Sequence, residues 1–136
     1  MKGRCLCNSV LFELRSEIQN SYYCHCRDCQ LQSGSAFQVF GIVDYGSIVL
    51  RQGKLSEFTQ EAASGFDMIR EFCTVCGTPL FVRSTRFPEI QMILISALLD
   101  SQSIKPAFQI WCSSKVSWAE AGHELKRFAR GQMDDQ

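Results

Sequence analysis

Seven of the eight cysteines in this chain fall into three short runs: Cys5-Leu6-Cys7, Cys24-His25-Cys26-Arg27-Asp28-Cys29 and Cys73-Thr74-Val75-Cys76. Thiols this close together on short backbone turns are how proteins grip soft, tetrahedral ions, zinc above all. Four thiolates close one such site. The remaining three leave a second ion with a vacant position, which is where chemistry can take place. The count therefore predicts two zinc ions per chain, one structural and one open. A disulfide framework is the competing reading, and it fits poorly. No apolar segment follows the positive start Met1-Lys2-Gly3-Arg4, so nothing suggests the secreted context that disulfides need. Cysteines two residues apart do not bridge easily, whereas on an extended segment both sulfurs point to one face.

On this reasoning Cys5 and Cys7 supply two ligands to one ion. Cys73 and Cys76, followed by Gly77, form a knuckle of the same kind, and the four together staple the first strand to the middle of the chain. Cys24, Cys26 and Cys29 can all reach another ion and leave its fourth corner for water, a thiol or a distant side chain. Spacing alone leaves a second partition open, with Cys5, Cys7, Cys24 and Cys26 around one ion and Cys29, Cys73, Cys76 and Cys112 around the other. Both sites would then be closed. His25, between two ligands on an extended segment, is expected to face away from them. Cys112, beside Trp111, reads as a buried free thiol. Asp28, Ser33 and Ser35 are placed to orient a substrate or move a proton, and are equally explained by a turn around Gly34.

The 136 residues, 46% of them apolar, predict one mainly β domain over residues 1–130 with a flexible tail at 131–136. Short alternating or apolar runs separated by turn residues give strands at Val10–Leu14, Ala36–Val43, Ser47–Leu50, Leu55–Phe58, Phe66–Phe72, Leu80–Val82 and Ile90–Ile95. Gln52-Gly53 reads as the turn of a hairpin. From Ser117 onward, Trp118, Ala121, Leu125 and Phe128 recur at helical spacing, which predicts a short C-terminal helix docked on the domain, with His123 on its solvent side. Lys plus Arg equals Asp plus Glu at 14 each, so a general nucleic-acid binder is not expected. The longest apolar stretch is far short of the ~20 residues that span a bilayer. A soluble, cytoplasmic protein is the expectation.

Read with their neighbours, the clusters resemble the glutathione-dependent formaldehyde-activating enzyme family, also called the GFA or centromere protein V domain family. The carrying segments are Gly3-Arg4-Cys5-Leu6-Cys7-Asn8-Ser9-Val10-Leu11-Phe12, Cys24 to Cys29 with Ser33-Gly34-Ser35-Ala36-Phe37, and Phe72-Cys73-Thr74-Val75-Cys76-Gly77-Thr78-Pro79-Leu80. Leu98-Leu99-Asp100 and the stretch from Pro106 to Trp118 continue the likeness. The resemblance implies a β-tent of several short antiparallel sheets. It also implies a structural zinc on Cys5, Cys7, Cys73 and Cys76 and a catalytic zinc on Cys24, Cys26 and Cys29. The activity it implies is that of a carbon–sulfur lyase resembling S-(hydroxymethyl)glutathione synthase, acting on a thiol such as glutathione and an aldehyde, formaldehyde in the founding case. A zinc with three thiolates carries net negative charge, so delivery of a soft thiolate suits it better than generation of hydroxide. The alternative is a zinc-stabilised module that binds a protein or small molecule without turnover. Two positions depart from the family pattern: Asn8 replaces a usual Gly and tolerates the same left-handed backbone, and Gln109 stands where His is common.

Overall fold

In the computed structural model, which describes residues 1–122 and 124–133, the apolar runs become strands and the cysteine runs become the bends between them. In chain order the elements are β1 (Lys2–Arg4), β2 (Leu11–Leu14), β3 (Asn20–Cys24), α1 (Arg27–Ser33), β4 (Gln38–Asp44), β5 (Ile48–Gln52), β6 (Leu55–Glu61), β7 (Asp67–Cys73), β8 (Pro79–Ser84), β9 (Ile90–Leu94), β10 (Phe108–Ile110) and β11 (Lys126–Arg127). They form a three-stranded sheet, β1-β2-β5, and an eight-stranded one, β11-β10-β3-β4-β9-β8-β7-β6. Most pairs are antiparallel, but β10 runs parallel to both β3 and β11. Among the described residues no helix is long and apolar enough to cross a membrane.

The central strands are buried on both faces, and their period-two alternation divides the core in two. Val43, Phe81 and Ile93 face the small sheet, where Phe12 meets Phe81 edge-on at 5.0 Å and Cys5 and Cys73 join the same cluster. Phe40, Val82 and Leu94 face the other way, onto Tyr22, Cys24, Cys29 and Phe108. The two groups of cysteines therefore lie in the two different halves of the core.

Two expectations are corrected. The segment from Ser117 forms no helix among the described residues; it runs through turns into the short strand β11. Gly122, at a φ of 55°, reverses the chain and accepts from the Leu125 N–H, after which Lys126–Arg127 hydrogen-bonds alongside β10. Trp118, expected on the buried stripe, is 75% exposed, and of that stripe Phe128 packs against Phe108. Pairing to an open strand edge overrode the helical periodicity. His123 and residues 134–136 of the expected tail lie outside the described residues. The second correction concerns Gln52-Gly53. A turn forms there, with Gly53 at a φ of 92°, but it makes no hairpin, because β5 pairs with β2 and β6 with β7. A Cβ on Gly53 would collide with the Ser9 backbone, so the turn packs on the loop that carries the first cysteines.

Gly3 is the point of closest approach between β1 and the 3₁₀ turn that follows β9. It pairs with Phe12 and bridges to Leu98, and a Cβ there would lie 2.6 Å from the Ala97 carbonyl oxygen and collide with the Phe12 ring. Overpacking of this kind costs about 1–3 kcal/mol. Gly3→Ala is expected to lower the denaturant midpoint by that amount while Gly46→Ala, where a Cβ meets nothing within 4 Å, loses only what its left-handed backbone costs. Equal losses in the two variants would contradict the packing argument.

Candidate metal centres

The sulfurs of Cys5, Cys7, Cys73 and Cys76 lie within 4.8 Å of one another, and so do those of Cys24, Cys26 and Cys29. This grouping is the first of the two partitions open from spacing. Cys112 belongs to neither group and sits half-buried in the 3₁₀ turn Cys112–Ser114 after β10.

The four-sulfur group forms where β1 turns into β2 and β7 turns into β8. Asn8 adopts a φ of 66° and Gly77 a φ of 76°, so both knuckles need a left-handed residue, and Asn8 takes that backbone as its type allows. Cys5 and Cys7 approach to 3.6 Å and Cys7 and Cys73 to 4.0 Å. A tetrahedron with metal–sulfur bonds of about 2.3 Å has edges of about 3.8 Å, so the donor set fits a zinc-sized ion. The surroundings present hydrogen to these sulfurs. The Val10 N–H donates to Cys5 and those of Val75 and Cys76 to Cys73, while the Cys7 thiol donates to the Ser9 hydroxyl at 3.1 Å and that hydroxyl lies 3.2 Å from the Cys73 sulfur. The Thr78 hydroxyl, 3.1 Å from Cys76, holds that thiol down at about 5. Such donors stabilise thiolates and fix ligand orientation.

The three-sulfur group joins the end of β3 to α1. Cys26 caps the helix, its sulfur accepting from the Cys29 N–H at 3.3 Å, and Gly34 closes the helix in the left-handed conformation. The sequence by itself predicts only a turn here. The cap, the acidic Asp28 in the first turn and Gly34 after the last residue are the signals that mark a helix. Donation from the Cys24 and Cys29 thiols, then the Cys29 N–H and the positive charge of Arg70, bring Cys26 down to about 3. Cys29 is lowered by Cys24 but raised more by Cys26 and by burial, and ends at about 12. Cys24 is likewise pushed well up by Cys26, Cys29 and burial. One thiolate thus balances two thiols until a cation takes all three.

No fourth His, Cys, Asp or Glu donor joins this group among the described residues. His25 is not among the converging donors, and it is buried. It is 1% exposed, lies edge-on to Phe37, and bonds the Gln109 Oε1 through Nε2 at 2.8 Å. Gln109 commits its amide N–H to the Gly122 carbonyl, so its oxygen accepts and the His25 proton sits on Nε2. Burial keeps His25 below its usual range, hence neutral. Gln109 thus occupies its position as a buried link between the His25 loop and the C-terminal segment, a role that only the fold reveals. Ser33 donates back to the Cys29 carbonyl at 2.7 Å and receives the Ser35 N–H, while Asp28 accepts from Gln60 at 3.0 Å.

The chain is similar to known proteins in sequence and in fold. A Penicillium rubens protein described as "Putative glutathione-dependent formaldehyde-activating enzyme" is 36% identical over 86 residues, which cover 60% of this chain and 43% of that protein. This chain thus matches less than half the length of that relative. The crystal structure of a Rhodobacter sphaeroides protein superposes with a TM-score of 0.59 at 19% identity, over 74% of this chain and 89% of that one, and shares the fold. Residues 1–114, which contain both cysteine groups, match the sequence profile described as "Glutathione-dependent formaldehyde-activating enzyme", and the chain belongs to that family.

Proposed function

We propose that this protein is a zinc-dependent enzyme of the carbon–sulfur lyase type. It adds a thiol, glutathione in the first instance, to formaldehyde or a similar aldehyde, and reverses that addition. The observation that carries the reading is the three-sulfur group itself: Cys24, Cys26 and Cys29 converge with no fourth donor among the described residues, beside a second group that has all four. Three protein ligands and an open position are the pattern of catalytic sites, four that of structural ones.

In the forward direction the thiol loses its proton, its sulfur lone pair forms the C–S bond to the carbonyl carbon, and the carbonyl oxygen takes up a proton. Nothing is oxidised or reduced. Zinc on Cys24, Cys26 and Cys29 would supply a lowered thiol pKa and a polarised carbonyl. The chain's own contribution is rigidity and exclusion of water. Cys24 and Cys29 are buried in the core, and the Cys26 sulfur is fixed by the first turn of α1. His25 is locked by Gln109, so the β3–α1 bend holds its shape.

Metal analysis is expected to give two zinc ions per chain, one of which leaves under mild chelation and returns, with glutathione–formaldehyde exchange lost and regained in step. A single tightly held ion and no exchange would overturn the proposal. Cys26→Ser is expected to abolish the exchangeable ion and lower exchange by more than about 100-fold with the melting temperature little changed, since even outer partners of metal ligands are worth about 10–100-fold. Cys73→Ser is expected to lower the melting temperature sharply, because binding energy at the closed site is folding energy.

Loading of the three-thiol site also carries a proton count. Cys24 and Cys29 lie above their usual range and Cys26 far below it, so near neutral pH two thiols are protonated and one is not. Metal entry displaces about two protons, and apparent affinity should rise about 100-fold per pH unit and fall as pH drops. Competition against a chelator at several pH values, corrected for the chelator's own protons, measures that slope. A flat profile would contradict the assignment of these thiols as ligands.

A further inference from the structure

Arg70 is a buried cation held by amides. It lies on β7 in register with Val82, Met92 and Ile42 across the sheet. The residue is 5% exposed, and among the described residues no carboxylate pairs with it. Asp28, the acidic residue in the first turn of α1, is bonded to Gln60 instead. The Arg70 Nη1 donates to the Gln32 Oε1 at 2.9 Å, while its Nε is buried with no partner. One hydrogen bond to a neutral amide does not offset the withdrawal of a guanidinium from water. A negative charge has to stand nearby, and the thiolate of the three-sulfur group is the one at hand.

The side chains that hold Arg70 also flank those sulfurs. Gln32 is three residues beyond Cys29 on α1, so the two share one face of the helix. The Gln32 Oε1 also accepts from the Gln38 Nε2 at 3.2 Å, and Gln38 stands directly opposite Cys24 in the β3–β4 ladder. A guanidinium and two amides thus form one chain from β7 through α1 to β4, with Cys29 beside its middle link and Cys24 beside its end. The Arg70 charge is felt at Cys26 and Cys29, less strongly than the hydrogen bonds among the thiols themselves. The four-sulfur group, in the other half of the core, has hydroxyls and backbone N–H groups about its sulfurs instead.

We propose that Arg70 is the fixed counter-charge of the three-thiolate centre, and that it lets the fourth position of a bound ion accept an anion. This rests on reading Cys24, Cys26 and Cys29 as ligands of an exchangeable divalent ion, and it adds a positioning residue to that site. Three thiolates on a divalent ion leave one negative charge, which the guanidinium cancels. A thiolate arriving at the fourth position then meets a neutral assembly. Without Arg70 it would meet an anion in a water-poor setting, where like charges repel strongly. A neutral ligand is indifferent to that change. Arginine suits the task because it keeps its charge when desolvated, and the amide chain fixes where that charge stands.

The test uses the full chain with zinc in the four-thiol site and cobalt(II) in the exchangeable one, whose sulfur-to-cobalt absorption reports the ligand set. Two probes are titrated into the fourth position at one pH: 2-mercaptoethanol, which binds as a thiolate, and imidazole, which binds neutral. In Arg70→Met the dissociation constant for 2-mercaptoethanol is expected to rise at least about tenfold, and that for imidazole far less. The cobalt dissociation constant, by competition with a chelator, should rise about 10–100-fold, the range for partners behind metal ligands. Arg70→Lys is expected to recover part of both losses, and the tightly held zinc should stay in every variant. If Arg70→Met does not fold, Arg70→Gln, which keeps a donor for Gln32, carries the same expectation. Equal losses for both probes, or loss of both metals, would show that Arg70 serves packing alone and would overturn the proposal. Wild-type protein that takes up no second ion would remove the three-thiol reading, and the counter-charge with it. A second ion whose probes ignore Arg70 would keep that reading and sink only the counter-charge.

Discussion

Everything in this fold is anchored by the convergence of Cys5, Cys7, Cys73 and Cys76. The small sheet enters this junction through the β1–β2 bend and the large sheet through the β7–β8 bend, so the four sulfurs join segments that are 66 residues apart at Cys7 and Cys73. Asn8 and Gly77 take left-handed backbone, and Ser9, Thr78 and three backbone N–H groups point at sulfur. Without a cation, four mutually close thiols must compromise, some losing and others keeping their protons, as the opposite shifts of Cys5 and Cys7 show. A divalent ion resolves that conflict at once, which makes such a junction a cooperative unit.

Fixing that junction has a consequence on the other face of the large sheet. Strands β7 and β8, held at one end by Cys73 and Cys76, carry Arg70 and Val82 beneath α1. The three-sulfur group rests on the same surface, supported by Tyr22, Phe40 and Leu94. The four-sulfur group belongs to one half of the core and the three-sulfur group to the other. Sites built on strands and helix starts keep their geometry better than sites on free loops.

The sequence made the strands and the cysteine groups legible for a physical reason. Central strands such as Ile90–Leu94 are buried on both sides and so read as continuous apolar runs, and ligands separated by two or three residues advertise their spacing directly. What stayed hidden was information carried by partners far away in the chain. Gln109 matters because of His25 and Gly122, and Arg70 because of Gln32; neither has a local signature. The stretch from Ser117 shows the opposite error. Its helical periodicity is real, but Gly122 breaks it and the open edge of β10 offers hydrogen bonds that a short exposed helix lacks.

Charge gives the last step. Lys plus Arg and Asp plus Glu balance at 14 each over the chain, so any electrostatic bias at the site has to come from placement. With the proposed function, three thiolates around a divalent ion would leave one negative charge and an arriving thiolate would add another, inside a core where Coulomb energies are strong. The face beneath α1 carries one buried guanidinium, that of Arg70. A lysine there would be easier to neutralise by losing its proton. Arginine holds its charge in a desolvated setting, so the choice of Arg70 commits this face to meeting anions.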